Sequence, residues 1–247
     1  MVIKLPIKNI VRRVLIRLGW PLTRNIRYDI LTERILRKCL TSGDTAVDVG
    51  AHKGEILDII LSCSPHQAHW AFEPIPWLYD SLRQRYTSLQ VHPFALSKQS
   101  GETAFQIVRD DLAYSGIRQR NYRHASPHIE TVKVQMRTLD DLIPSDQPIR
   151  LIKIDVEGGE YDVLLGSKRI ISTHHPVLIF EFGKGASEHY EIGPNDMFDL
   201  LESLQYRVYT LSDFLREQSP LKRSAWCENY DLGTEYYFVA AAANKTN

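Results

Sequence analysis

The ten residues Thr45–Gly54, TAVDVGAHKG, constrain the fold more than any other stretch of this chain. An apolar run interrupted by the carboxylate Asp48 ends at Gly50, and Gly54 follows after three residues. Gly50 can take a positive φ and let a ligand approach the backbone, while Gly54 lets the turn pack closely on a helix. A second apolar stretch, Ala68–Phe72, then ends in another acid, Glu73. A strand, a glycine turn, a helix and a second acid-tipped strand form the nucleotide-binding half of a doubly wound sheet. An ordinary strand–helix turn would also show Gly-x-x-x-Gly. What adds weight is Glu73, which arrives where a ribose hydroxyl pair would sit. A pyrophosphate binder uses Gly-x-Gly-x-x-Gly, and here His52 stands at the middle glycine. The loop therefore fits a cofactor with an amino-acid tail and a nucleoside, and disfavours a nicotinamide-dependent oxidoreductase.

The remaining pattern extends this reading. Helical spacing is expected over Ile7–Leu18 and Tyr28–Cys39, with a turn at Thr41–Asp44 before the first strand. Glu55–Cys63 reads as the helix after the glycine loop. Pro74 and Pro76 open the next helix, which runs to about Tyr86, since proline is tolerated in a first turn. Val91–Ala95 is expected as one short strand. A β excursion follows: Thr103–Val108, a loop over Asp110–His128 rich in Arg, Tyr and His, then Thr131–Thr138. In this last run Val132, Val134 and Met136 alternate with polar residues. Leu139–Leu142 fits a helical turn. Alternation of strand and helix then resumes, with strands over Arg150–Ile154, Val177–Phe180, Arg207–Leu211 and Tyr236–Ala241. Helices are expected over Glu160–Ser172 and Asp196–Leu204. Thr45–Val49 and Val177–Phe180 are almost continuously apolar, as strands covered on both faces are; Lys153 interrupts Arg150–Ile154. The final strand is expected to run antiparallel at or near one edge.

Charge is distributed unevenly along the 247 residues. Residues 1–40 hold ten Lys and Arg against two acids, Asp29 and Glu33, so that segment is +8 and the remainder −8 in a chain of zero net charge. The basic segment supports two readings. It can dock as a helical cap on the acidic body, which is the preferred one. Alternatively it can lie on an anionic membrane surface with Ile10, Val14 and Leu18 buried. Nucleic acid is not an expected partner, because no aromatic-basic module accompanies the charge. The sequence shows neither a transmembrane run nor the uninterrupted apolar core of a signal peptide. Cys39, Cys63 and Cys227 lack metal-ligand spacing and read as reduced packing thiols of a cytoplasmic protein, one that could touch a membrane peripherally. The domain division is 1–42 for the basic helical segment and 43–247 for the cofactor domain.

Ligands of open α/β sheets bind beyond the carboxyl ends of the strands. The acids there are Asp48, Glu73, Asp155 and Glu181. Any one of them could simply cap the following helix; four on one edge point to a site. The ordered blocks VDVGAHKG (47–54), FEPIP (72–76), PFALS (93–97), TLDDL (138–142), IKIDVEGGEYDVLLGS (152–167) and PVLIFEFG (176–183) carry a resemblance. Over about residues 44–215 the chain resembles the FkbM-type family of S-adenosylmethionine-dependent methyltransferases. The block around Asp155-Val-Glu157-Gly, with Glu160 and Gly166, is the most diagnostic.

The resemblance implies an α/β fold: a doubly wound, mostly parallel seven-stranded Rossmann-like sheet with helices on both faces. It implies S-adenosyl-L-methionine as cofactor, bound by the turn of Gly50, Ala51, His52 and Gly54 at its methionine part. Glu73, beside Pro74, would accept from the ribose hydroxyls, and Phe94 and Ala95 would line the adenine pocket. Asp48 would organise the loop. Asp155 and Glu157 would sit near the sulfonium and the acceptor. The expected reaction is O-methylation of a hydroxyl on a small molecule or saccharide. Asp155 is the first candidate for the base, ahead of Glu157 and Glu181. Alternatively all three carboxylates only organise loops, in an inactive cofactor-binding partner protein. Clustered carboxylates could also hold a Mg²⁺ ion that lowers the acceptor's pKa. His52 has two readings, one in which it reaches the acceptor and one in which it is a solvated loop residue. His124 and His128, with Arg118, Arg120 and Arg123, lie in a loop that could close over the acceptor and whose arginines could bind an acidic sugar or phosphate.

Overall fold

Strands buried on both faces dominate the centre of the molecule. The computed structural model describes residues 23–120 and 126–243. The four residues of β1 (Ala46–Val49) and of β7 (Leu151–Ile154) are all buried, as are the first four of β8 (Val177–Glu181). With β2 (Trp70–Phe72), β3 (Gln90–His92), β9 (Tyr206–Thr210) and β10 (Tyr237–Ala242) they form a seven-stranded sheet ordered β3-β2-β1-β7-β8-β10-β9. All neighbours pair in parallel except β10, which runs antiparallel to both β8 and β9. The antiparallel strand is thus next to the edge, with β9 outermost.

Alternate strand residues feed two cores. Ala46, Leu151 and Ile179 pack with Ile35 and Leu36 of α1 (Arg24–Cys39), Leu57 and Ile60 of α2 (Glu55–Cys63) and Leu82 of α3 (Pro76–Arg85). On the other side Val47, Val49, Ile152, Ile154, Leu178 and Phe180 meet a second set of helices. These are α4 (Leu139–Leu142), α5 (Glu160–Leu165), α6 (Lys168–His174) and α7 (Pro194–Ser203), followed, after α8 (Leu211–Leu215), by α9 (Arg223–Leu232). Helices therefore cover both faces, the arrangement a mostly parallel sheet requires.

Three expectations differ from the structure in detail. Val91–Ala95 is two strands, not one. Pro93 has no N–H for a ladder, and the chain leaves the main sheet there; β4 (Phe94–Leu96) enters a small second sheet with β6 (Ile129–Arg137) and β5 (Gly101–Val108). The helix expected over Glu160–Ser172 is broken at Gly166 and Ser167 into α5 and α6. Helix α9 has no counterpart in the sequence pattern, because only Trp226 and Tyr230 bury fully along it. Trp226 is nevertheless completely enclosed, against Phe182 and Phe238 at ring distances of 5.5 and 4.5 Å.

The described part of the basic segment docks on the body. Arg27 pairs with Glu235 at 3.1 Å and Lys38 with Glu217 at 2.5 Å, and the Arg150 Nε donates to the Cys39 carbonyl at 3.2 Å. The helix expected over Ile7–Leu18 lies outside the described residues. No helix among the described residues is long and apolar enough to cross a membrane.

Gly166 joins the small sheet to the domain. A Cβ at this position would lie 2.2 Å from the Ser97 carbonyl oxygen, just past β4. Gly166→Ala must shift backbone against backbone, and overpacking of this kind costs about 1–3 kcal/mol. Urea unfolding should show that loss; an unchanged midpoint would mean the junction is looser than its geometry implies.

Candidate functional site

The order of the sheet reverses between β1 and β7, and a cleft of about 1200 Å³ opens there beyond the strand ends. That volume exceeds the roughly 300–1000 Å³ of a typical single-ligand pocket, so it has room for two ligands. Its walls come from the turn after β1, from Glu73 and Pro74 after β2, and from Asp155 and Glu157 after β7. Glu181 closes β8, and Phe94 and Ala95 come from the small sheet.

The Gly50 turn is fixed by backbone. The N–H groups of Gly50 and Ala51 both donate to the Phe72 carbonyl at 3.0 Å. Gly50 has φ +81°, and a Cβ there would lie 1.9 Å from the Asp155 carbonyl oxygen. The glycine is therefore required by the neighbouring strand, whatever ligand approaches it. Gly54, at φ +79°, packs against Tyr86 and Leu82 of α3, the close turn–helix contact expected of it, and stands behind the cleft wall. His52 adopts a left-handed conformation at φ 47° and its backbone N–H donates to Glu73 Oε2 at 2.8 Å. Glu73 Oε1 accepts from the Ile75 N–H at 2.9 Å. Each oxygen keeps a lone pair, so the carboxylate can still accept from two neighbouring hydroxyls. Burial raises the Glu73 pKa to about 7, against these two N–H donors.

Asp48 is wholly buried, does not line the cleft, and meets Lys153 Nζ at 3.4 Å. The same ammonium pairs with Asp155 Oδ2 at 3.4 Å and donates to the Gly50 carbonyl at 3.2 Å. Lys153 is 5% exposed. Burial opposes its charge, but Asp155 and Asp48 outweigh that and raise its pKa. What interrupts the strand pattern is thus the cation that ties β1, β7 and the glycine turn together. Asp155 also accepts from the Tyr237 hydroxyl of β10. Burial works to raise its pKa, yet Lys153, Tyr237 and Glu181 together hold it below the ordinary range. Glu181 is pushed well upward by burial and then by the charges of Asp155, Glu157 and Glu160, and it is hydrogen-bonded to Asp155.

Glu157 sits at φ 60°, unusual for a residue with a side chain. Glu160 fixes this turn: its buried carboxylate accepts from the Val156 and Gly158 N–H groups at 3.0 and 3.2 Å. The Glu157 carboxylate pairs with the Arg120 guanidinium. Burial first, and then Asp155, raise its pKa to about 8 despite Arg120. One carboxylate oxygen from each of Asp155, Glu157 and Glu181 lies within 4.8 Å of the others, a spacing a divalent ion could use. Lys153 and Arg120 already neutralise two of the three. Of the loop residues, Arg120 enters the cleft, His128 is exposed, and His124 and Arg123 fall outside the described residues. Lys153, Tyr237 and Arg120 are the site groups that strand and loop patterns alone do not single out.

The methyltransferase FkbM domain matches residues 48–208. The chain belongs to the FkbM methyltransferase family. Its domain is accordingly an S-adenosylmethionine-dependent methyltransferase domain. The lone pairs left on Glu73, the side-chain-free Gly50 turn and the surplus of carboxylates beyond β7 suit a ribose, a methionine tail and a sulfonium. Among curated proteins none matches the chain in sequence. Of solved structures, methyltransferase FkbM from Methylobacillus flagellatus KT is 16% identical, at a TM-score of 0.49 over 95% of this chain and 59% of that one. The FkbM chain described here therefore spans less than two thirds of that relative's length. An rRNA methylase from Streptococcus thermophilus gives 12% identity and TM-score 0.45, over 90% and 98% of the two chains. A geranyl diphosphate methyltransferase in complex with SAM gives 15% and 0.44, over 91% and 93%.

Lys153→Met would leave the buried Asp48 and the half-buried Asp155 without their cation, a change expected to cost about 3–5 kcal/mol. Asp48 has a folded pKa of about 6, raised by burial above its unfolded value, so its favourable contribution exists at low pH and fades as pH rises through the folded value. Removing Lys153 drives that pKa further up. The deficit of the variant should therefore grow from pH 5 to pH 8 in urea titrations. A deficit independent of pH would contradict the ion-pair account.

Proposed function

We propose that this domain transfers a methyl group to a hydroxyl oxygen of a small molecule or saccharide, with Glu157 as the proton acceptor. The observation that carries the reading is the contrast among the three carboxylates. Asp155 is held ionised by Lys153 and Tyr237, and its Oδ2 is already engaged by both of these donors. Glu181 is pushed well upward and is hydrogen-bonded to Asp155. Glu157 has its pKa raised to about 8, lines the cleft, and among the described residues is paired only with Arg120.

S-adenosylmethionine, when bound, supplies a methyl group on a sulfonium, which needs alignment more than activation. The protein's part is then to hold, orient and deprotonate. Glu73 binds the ribose hydroxyls, and the Gly50–His52 turn holds the methionine end. Phe94 and Ala95 border the base. Asp155 provides a fixed negative charge that favours a cation beside it, and Tyr237 and Lys153 keep that carboxylate in place. Glu157 accepts the acceptor hydroxyl's proton as its oxygen becomes nucleophilic. A base with a pKa near the working pH serves this role better than a strongly acidic one. Its left-handed backbone is the sort of local strain that a surrounding structure maintains at functional sites.

Two measurements test this. Glu73→Ala should weaken binding of S-adenosylhomocysteine by roughly 1–3 kcal/mol, the cost of leaving buried polar groups without a partner. An unchanged dissociation constant by calorimetry would remove Glu73 from the ribose site. Glu157 must be ionised to accept a proton, so kcat/KM should rise with pH through about 8 and level off above it. Glu157→Gln should lower the rate by about 10²–10⁴-fold and abolish the inflection. A flat profile from pH 6 to 9 would instead assign the proton to Asp155.

A further inference from the structure

Beside Glu157, among the described residues, a buried guanidinium N–H and the proton of a buried hydroxyl find no acceptor. Arg120 reaches the cleft from the loop after β5, with its side chain 12% exposed. Its Nη1 is spent on Glu157, and its plane stacks at 4.8 Å on Tyr114. Among the described residues its buried Nε donates to nothing and the adjacent Nη2 makes no hydrogen bond either. Nε and Nη2 form one of the two edges with which a guanidinium grips a carboxylate or phosphate through paired hydrogen bonds. The second group is the Tyr190 hydroxyl, from the segment after β8. It is buried, and its proton has no acceptor. Tyr190 lies over the turn that carries Glu157: a Cβ at Gly159 would sit 3.4 Å from its oxygen. Both residues line the cleft. Native proteins rarely leave buried donors unsatisfied, and here two of them flank the proposed base.

Resting on the Glu157 reading above, we propose that Arg120 and Tyr190 bind an anionic group of the methyl acceptor. That group is a carboxylate or phosphate carried close to the hydroxyl that Glu157 deprotonates. The donor set fits this chemistry: one charged bidentate edge and one hydroxyl, all donors. Glu157 is then left to the neutral hydroxyl of the same molecule. Arg120 thereby selects acidic acceptors, such as hydroxy acids, uronic acids or sugar phosphates, over neutral sugars. The only other carboxylate the cleft should receive is that of the cofactor's methionine tail, so the test must separate the two.

Calorimetry on the full chain does so in two arms. The first measures S-adenosylhomocysteine affinity for the wild type and for Arg120→Gln. The second titrates each cofactor-product complex with glucuronate, glucose 6-phosphate, inorganic phosphate and, as neutral control, glucose. The expected result is an S-adenosylhomocysteine affinity that Arg120→Gln changes less than about threefold. At least one anion should bind the wild-type complex about tenfold or more tightly than glucose does, a preference lost in the variant. The proposal is overturned if no anion is preferred, or if the preference survives in Arg120→Gln. A tenfold loss of S-adenosylhomocysteine affinity also overturns it, because the edge would then serve the cofactor's carboxylate. Failure of the wild type to bind S-adenosylhomocysteine at all would instead remove the methyltransferase reading on which the proposal stands.

Discussion

The buried ammonium of Lys153 is the interaction on which the site depends. It lies 3.4 Å from carboxylates on two neighbouring strands and donates to the carbonyl of the glycine turn between them. Two acids at the switch point of the sheet would otherwise repel each other in a medium of low dielectric. With the cation between them Asp155 stays ionised, and its charge raises the pKa of both Glu157 and Glu181. Taking any one charge away would leave another uncompensated, so these residues act as a unit.

The division of labour along the strand ends follows. The β1 and β2 ends are governed by backbone: Phe72 accepts from the glycine turn, and Glu73 is aimed by the N–H groups of His52 and Ile75. That half is shaped before any ligand arrives. The β7 and β8 ends are governed by charge. There Glu160 fixes the loop, Asp155 supplies a permanent negative charge, and Glu157 can change protonation. Under the proposed function, the backbone-governed half holds the nucleoside and the charged half carries the proton chemistry.

Much of this was legible in the sequence, for physical reasons. Strands covered on both faces read as apolar runs, and β1 and β8 fall where those runs lie. Glu73, Asp155 and Glu181 could be named because they follow such runs, and Glu157 because the surrounding block carries the family resemblance. Less visible were features decided by tertiary contact. Pro93 moves the chain from one sheet to another, which an uninterrupted β pattern does not reveal. Gly166 breaks a helix because Ser97 approaches it from another element. Helix α9 buries too narrow a stripe to stand out, although Trp226 anchors one core. Lys153 looks like a blemish in a strand until Asp48 and Asp155 are seen on either side of it. Tyr237 reads only as a strand residue, and Arg120 as one charge among several in a polar loop.

The central claim is that the nucleoside lies on Glu73 and the sulfur faces the carboxylates beyond β7. A crystal structure of the complex with S-adenosylhomocysteine tests it most directly. The account predicts both ribose hydroxyls within hydrogen-bonding distance of Glu73, and the sulfur on the side of Asp155 and Glu157. A nucleoside seated away from Glu73, or a sulfur turned away from Glu157, would contradict it.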